Sequence, residues 1–213
     1  MVRFMGHELS ASVRERRRDR ILEIAAEVFL EHGYGGATMS LIAQRLGGSK
    51  ATLYAYFRNK EELCEAIVQR LCDRALVALD EASAQSGLLE QLMHAGMAFM
   101  ELMVSDQGVR TFQLAIEGSR IHRDLAKRFE TVGLRVVTDK LADLLEEADA
   151  RGETSTPDPV EAAGVFISLL RGDLHFRRLL NLLPEPTLDQ RRAEVARAIR
   201  VFMAAFAAAP RTA

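Results

Sequence analysis

Two cysteines, five prolines and no tryptophan stand among 213 residues, and each scarcity closes off a class of protein. Two thiols cannot build the multi-bridge framework of a small secreted domain. Cys64 and Cys72 read as members of one helix, where eight residues rise about 12 Å, beyond the span of a disulfide. They are expected as reduced thiols of a cytoplasmic protein. No apolar run reaches the roughly 20 residues that a membrane span needs. The first twenty residues carry Glu8, Glu15 and Asp19 among their arginines and lack an apolar stretch, which suits neither a transit peptide nor a signal peptide. Residues 1–12 are expected as a flexible basic arm leading into a helix.

Net charge is also small, at -2, but it is unevenly placed. From Met1 to Lys60 ten Lys and Arg oppose six acids, a balance of +4 that leaves -6 for the remainder. A basic head on an acidic body suits a polyanionic partner for the head alone. A solvated charged face explains the same numbers, so charge by itself leaves both readings open.

What is present is helical periodicity, and no stretch alternates cleanly enough for a strand. Ile21, Ala25, Val28 and Phe29 mark the inner face of a first helix ending at His32-Gly33. Thr38 is placed to cap a short second helix to Leu46, and Ser49 a third to Phe57, with Gly47-Gly48 as the turn between them. Asn59 and Glu62 form a capping-box pattern opening a fourth helix to about Asp80. Further helices are expected near Leu88–Val104, Gln107–Glu117 and Arg123–Ala150. Asp158-Pro159 then opens one to about Leu180, and Thr187 with Gln190 boxes the last. The fold class is all-α, an N-terminal three-helix helix-turn-helix head followed by a larger helical bundle. Two domains are expected, the helix-turn-helix head at 13–60 and the helical body at 61–213.

The head carries the chemistry. Ala43 is small where two short helices must approach, Gly47 accepts the positive φ of the turn, and Ile42, Leu46, Leu53 and Phe57 are spaced to pack on the first helix. Left on the outer face are Lys50, Ala51, Thr52, Tyr54 and Ala55, small, hydroxyl-bearing and cationic groups that fit a major groove. An αα-hairpin without function shares this outline.

The order of these residues resembles the tetracycline-repressor-like (TetR) regulators. The likeness rests on His32-Gly33-Tyr34, Thr38, Ile42-Ala43, the run Ser49 to Phe57 and Asn59-Lys60-Glu61-Glu62-Leu63. It covers roughly Arg14 to Leu63. The resemblance implies that Thr38, Tyr54, Tyr56 and Lys60 touch phosphates, and that Ser49 and Lys50 meet the backbone or base edges. Lys50, Ala51, Thr52 and Ala55 would read bases; for Tyr56, packing inside the head is the alternative. Two departures stand out. Gly48 replaces the Val-like residue usual there, and Ala51 and Ala55 leave few side chains for bidentate base reading, which shifts weight to DNA shape or to Thr methyl and Lys50 contacts.

The resemblance further implies a homodimer on a palindromic DNA operator, released by a small-molecule effector, with the last two helices as interface. Phe166, Leu170, Val195, Ile199, Phe202 and Phe206 are the expected interface residues, although either face of those helices suits the intrachain core. Met93, Met97, Met100 and Met103 form a stripe that reads either as core or as an adaptable pocket wall. Phe112, Phe129 and Phe166 would add aromatic walls, and Glu117, His122 and Arg171 polar anchors. No cofactor or metal is expected.

Two rivals come from other classes. An enzyme would show a phosphate loop, a nucleophile elbow or zinc spacing, none of which the sequence contains; Arg171, Asp173 and His175 lack a paired nucleophile. A helical scaffold with a polyanion- or membrane-binding basic arm explains the charge, but not the ordered head.

Overall fold

The computed structural model describes residues 2–83, 87–121, 126–127 and 130–208. Its helices are α1 (Val2–Gly36), α2 (Met39–Leu46), α3 (Lys50–Tyr54), α4 (Lys60–Ser83), α5 (Leu88–Val104) and α6 (Asp106–Ile121). After a π-helical turn at Glu130–Leu134 come α7 (Arg135–Arg151), α8 (Pro159–Leu179) and α9 (Leu188–Phe206). The only β pairing among the described residues is an isolated bridge from Thr154 to Ala207. The all-α expectation holds. The arm expected over 1–12 is instead helical from Val2 onward, and α1 loses helical geometry at Gly33 (φ 66°).

Local side-chain chemistry sets most helix starts. Thr38 accepts from Leu41 N–H, Ser49 from Thr52 N–H, and Asp158 from Glu161 N–H. Thr187 and Gln190 complete a reciprocal capping box. Each such cap stabilises its helix by about 1 kcal/mol. Asn59 Oδ1 takes the Glu62 N–H at 2.9 Å, while the Glu62 carboxylate takes the Arg58 N–H at 2.7 Å, one residue earlier than the box pattern requires. Helix α3 stops at Tyr54 rather than Phe57, the chain turning there to send Phe57 inward.

Two compact units result: Met1–Val68 with Leu114–Ala126, and Gln69–Gln113 with Lys127–Ala213. The first therefore runs past the expected boundary at residue 60, and the reason lies in its core. Ile21, Val28, Tyr34, Ile42 and Leu53 need Leu63, Cys64 and Ile67 of α4, and Leu114 of α6, to close around them. Burial pushes the Cys64 thiol up to about 12 and that of Cys72 to about 11, and both are free.

The core of the second unit is built by α5, α7, α8 and α9 with Leu71 and Leu79 of α4, and α5 packs on both α8 and α9. Gly96 allows the close crossing, since a Cβ there would stand 2.5 Å from Val195 Cγ1. Phe166 and Phe202 meet edge to face with centroids 5.3 Å apart, a geometry worth about 0.5–1.5 kcal/mol beyond the area buried. Inside α8 the helix breaks at Gly172 (φ 44°, ψ -158°). Only glycine takes those angles without strain.

Candidate functional site

The helix-turn-helix forms as the residues demand. Gly47 adopts the left-handed conformation (φ 68°) and its N–H reaches back to Ala43 and Gln44 carbonyls. A side chain at that φ would cost about 1 kcal/mol or more. Ile42, Ala43, Leu53 and Phe57 are buried, which fixes the roll of α2 and α3. Arg45 donates to Glu31 at 2.6 Å, and that bond holds the Glu31 carboxyl below its ordinary range.

That roll leaves Thr38, Ser49, Lys50, Ala51, Tyr54 and Ala55 exposed, with Tyr54 half open to solvent. Of the expected DNA-facing residues, three sit differently. Thr52 is half-buried, its hydroxyl 3.1 Å from that of Ser49. Tyr56 is half-buried beneath the guanidinium of Arg14, 5.8 Å from the ring centroid. Lys60 turns inward: its Nζ donates to the Tyr34 carbonyl at 2.8 Å and lies 4.2 Å from the Tyr34 ring. The Tyr34 hydroxyl in turn donates to Glu61 at 3.0 Å, and burial with that neighbour pushes the phenol up.

Cations that the motif does not include come from α1. Arg14, Arg16, Arg17, Arg18 and Arg20 are exposed, and Arg18 reaches the Phe57 ring at 5.4 Å. The basic balance of the head was the signal for them.

The expected effector residues separate. Met100 and Phe166 are wholly buried, with Met93, Met97 and Phe112 packed partly buried against the same core. Among the described residues the Met stripe is therefore core lining. The described cavities are open and lie elsewhere, one of about 270 Å³ by Leu174, Pro184 and Gln190, another of about 150 Å³ by Leu71, Arg74 and Glu101. Glu117 belongs to the first unit and is engaged with the backbone there, accepting from Tyr34 N–H at 2.9 Å. His122 and Phe129 lie outside the described residues. Arg171 lies half-buried on α8.

The expected interface residues require correction. Phe166, Val195 and Phe202 are fully buried, Leu170 and Ile199 nearly so, and Phe206 packs partly buried against them. The first five fill this chain's own core, where a partner cannot reach them in this fold, while Phe206 lies at the edge of that core. The exposed apolar side chains of these helices are Val160, Val165, Phe176, Leu188 and Val201.

Comparison with known proteins agrees with this architecture. Residues 21–67 match the bacterial regulatory proteins of the tetR family, and residues 90–208 match the AefR-like transcriptional repressor C-terminal domain. The transcriptional activator FasR of Mycolicibacterium smegmatis is 31% identical over 62% of this chain and 60% of its own length. The structure of the flavonoid-responsive regulator FrrA is 30% identical, with a TM-score of 0.72, over 93% of this chain and all of that one (100%). A TetR-family structure from Mesorhizobium loti superposes with a TM-score of 0.80 at 19% identity, over 91% and 98% of the two chains. The chain thus belongs to the TetR family of DNA-binding transcription regulators, which act by binding and are not enzymes.

Proposed function

We propose that this chain is a dimeric, effector-released repressor that holds a palindromic operator through α3. The observation that carries the reading is the exposed set Lys50, Ala51, Tyr54 and Ala55 on the helix after the Gly47 turn, supported by the arginines of α1. Lys50 and the small residues meet base edges, while Thr38, Ser49 and Tyr54 supply hydroxyls to phosphates. Repression is favoured over activation by the repressor domain that residues 90–208 resemble.

Dimerisation uses the outward faces of α8 and α9, where Val165, Phe176, Leu188 and Val201 lie exposed. The effector binds the second unit and acts on the head along α4 and α6, each of which contributes residues to both units. A hundredfold preference of the effector for the released form supplies about 2.7 kcal/mol of coupling.

The test is fluorescence anisotropy on duplex DNA selected from random sequence, repeated across salt concentrations, with expression of a reporter behind the selected site. A palindromic selected site, affinity falling steeply with salt and reporter expression rising when the regulator is deleted are expected. Salt-independent binding overturns the interface, and falling expression turns the protein into an activator.

A further inference from the structure

The second unit contains a half-buried cation whose Nε finds no hydrogen-bond partner among the described residues. Arg171 precedes the α8 break at Gly172, and its Nε is shielded from solvent with no hydrogen-bond partner. Burial holds the guanidinium below its ordinary value, with no carboxylate acting the other way. Seven residues on, Arg178 shows the ordinary arrangement: Nε donates to the Val104 carbonyl at 3.0 Å, Nη1 to Leu183 at 2.7 Å and Nη2 to Asp106 at 2.6 Å. Buried Nε atoms without partners also include that of Arg191, but its Nη atoms pair with Glu101 and Glu185.

Two acids near the Gly172 break are committed elsewhere. Asp173 pairs with Arg177 at 3.6 Å, and Glu194 with Arg197, whose Nη2 stands by Gly172. His175 supplies no counter-charge. Its Nδ1 lies 2.8 Å from the Met103 carbonyl, which can only accept, its ring edge meets Phe112, and burial lowers its tendency to protonate. Ile167 and Leu170 beside it on α8 are buried apolar residues. A guanidinium half withdrawn from water among such neighbours costs stability until an anion meets it.

We propose that Arg171 receives the negative group of an amphiphilic effector, an apolar monoanion whose carboxylate makes charge-assisted hydrogen bonds to the guanidinium. The inference rests on the reading of this unit as effector-binding and adds the charge class of the effector. An acyl chain and an aromatic ring are two carriers of the same chemistry.

The experiment uses the full chain with octanoate, octanamide, 2-naphthoate and 2-naphthamide, titrated calorimetrically against wild type, Arg171→Met and Arg171→Lys, with melting of each protein alone. Wild type is expected to bind a carboxylate at least tenfold tighter than its amide. Arg171→Met should bind the two alike, and Arg171→Lys should keep part of the preference. Without ligand, Arg171→Met should melt at or above the wild-type Tm, because removing an unpaired buried charge relieves a cost. A tighter octanoate points to acyl chains, a tighter 2-naphthoate to aromatic acids. Absence of carboxylate preference in wild type overturns the proposal. So does its survival in Arg171→Met, or a lowered Tm in that variant, which would make the guanidinium structural. Operator binding is followed in parallel: a carboxylate that prefers wild type yet never releases DNA upholds the site and defeats the effector reading.

Discussion

The Glu117 carboxylate on α6 receives the backbone N–H of Tyr34 at 2.9 Å, a bond between residues 83 apart in sequence. Its other oxygen stands 3.5 Å from the Gly35 N–H. Where α1 breaks at Gly33, the chain starts a new turn, with Ala37 N–H on the Gly33 carbonyl. The N–H groups at its start have no partner within the turn, and Glu117 serves them as an N-cap would, from another helix.

Glu117→Ala should therefore destabilise the chain by about 1–2 kcal/mol, and Glu117→Gln by less, since the amide oxygen keeps the bond without the charge. Gly33→Ala should cost more than Glu117→Ala. Its Cβ would stand 2.7 Å from Glu117 Oε1, and φ of 66° strains any other residue. Combining Gly33→Ala with Glu117→Ala should return the collision part of that cost and leave the strain, so the two effects will not add. Urea unfolding of the four proteins measures this, and strict additivity would remove the collision from the account.

Lys50 and Lys60 should separate into two kinds of effect. Lys50 is exposed on α3, so Lys50→Met should leave the Tm unchanged and reduce the slope of log affinity against log salt by about 1. Lys60 is spent on Tyr34. Lys60→Met should cost about 1 kcal/mol in folding and leave the slope alone. A slope reduced by Lys60→Met would mean that the ammonium leaves Tyr34 for a phosphate when DNA binds.

The two thiols should be inert in the folded protein. With Cys64 near 12 and Cys72 near 11, thiolate fractions at pH 8 are about one in ten thousand and one in a thousand. An aromatic disulfide reagent at pH 8 should label neither within minutes and both at once in urea. Rapid labelling of the native chain would show that one of the cores opens easily.

Features decided within three or four residues were legible in the sequence. The caps at Thr38, Ser49, Asp158 and Thr187 and the turn at Gly47 are each a side chain or a φ serving its neighbours. The exposed outer face of α3 followed from them, because burying Ile42 and Leu53 leaves one outward side for Lys50 and Tyr54. Long-range choices were not legible. Glu117 finds Tyr34 only once α1 and α6 meet, and Lys60 turns inward only because the Tyr34 carbonyl is there. Helices α8 and α9 carry apolar residues on more than one face, so periodicity could not tell Phe166 and Phe202, which fill the core, from Phe176 and Val201, which do not. The break at Gly172 lies inside a good helical pattern, where nothing local separates it from the helical Gly164.

That ambiguity supplies the sharpest test of assembly. Phe176 is 60% exposed on α8, whereas Phe202 is 0% exposed on α9 against Phe166 and Phe206. Phe202→Glu would bury a carboxylate with no partner in an apolar core, which costs well over 3 kcal/mol and should unfold the second unit. Phe176→Glu touches no core and should leave the Tm of the isolated chain unchanged. If the outward face of α8 meets a second copy, Phe176→Glu should yield folded monomers with weakened operator binding, since one head holds only one half-site. Sedimentation velocity at micromolar concentration with circular dichroism reads both variants. A wild type that sediments as a monomer would defeat the dimer. A Phe176→Glu protein that still dimerises would move the interface away from that side chain.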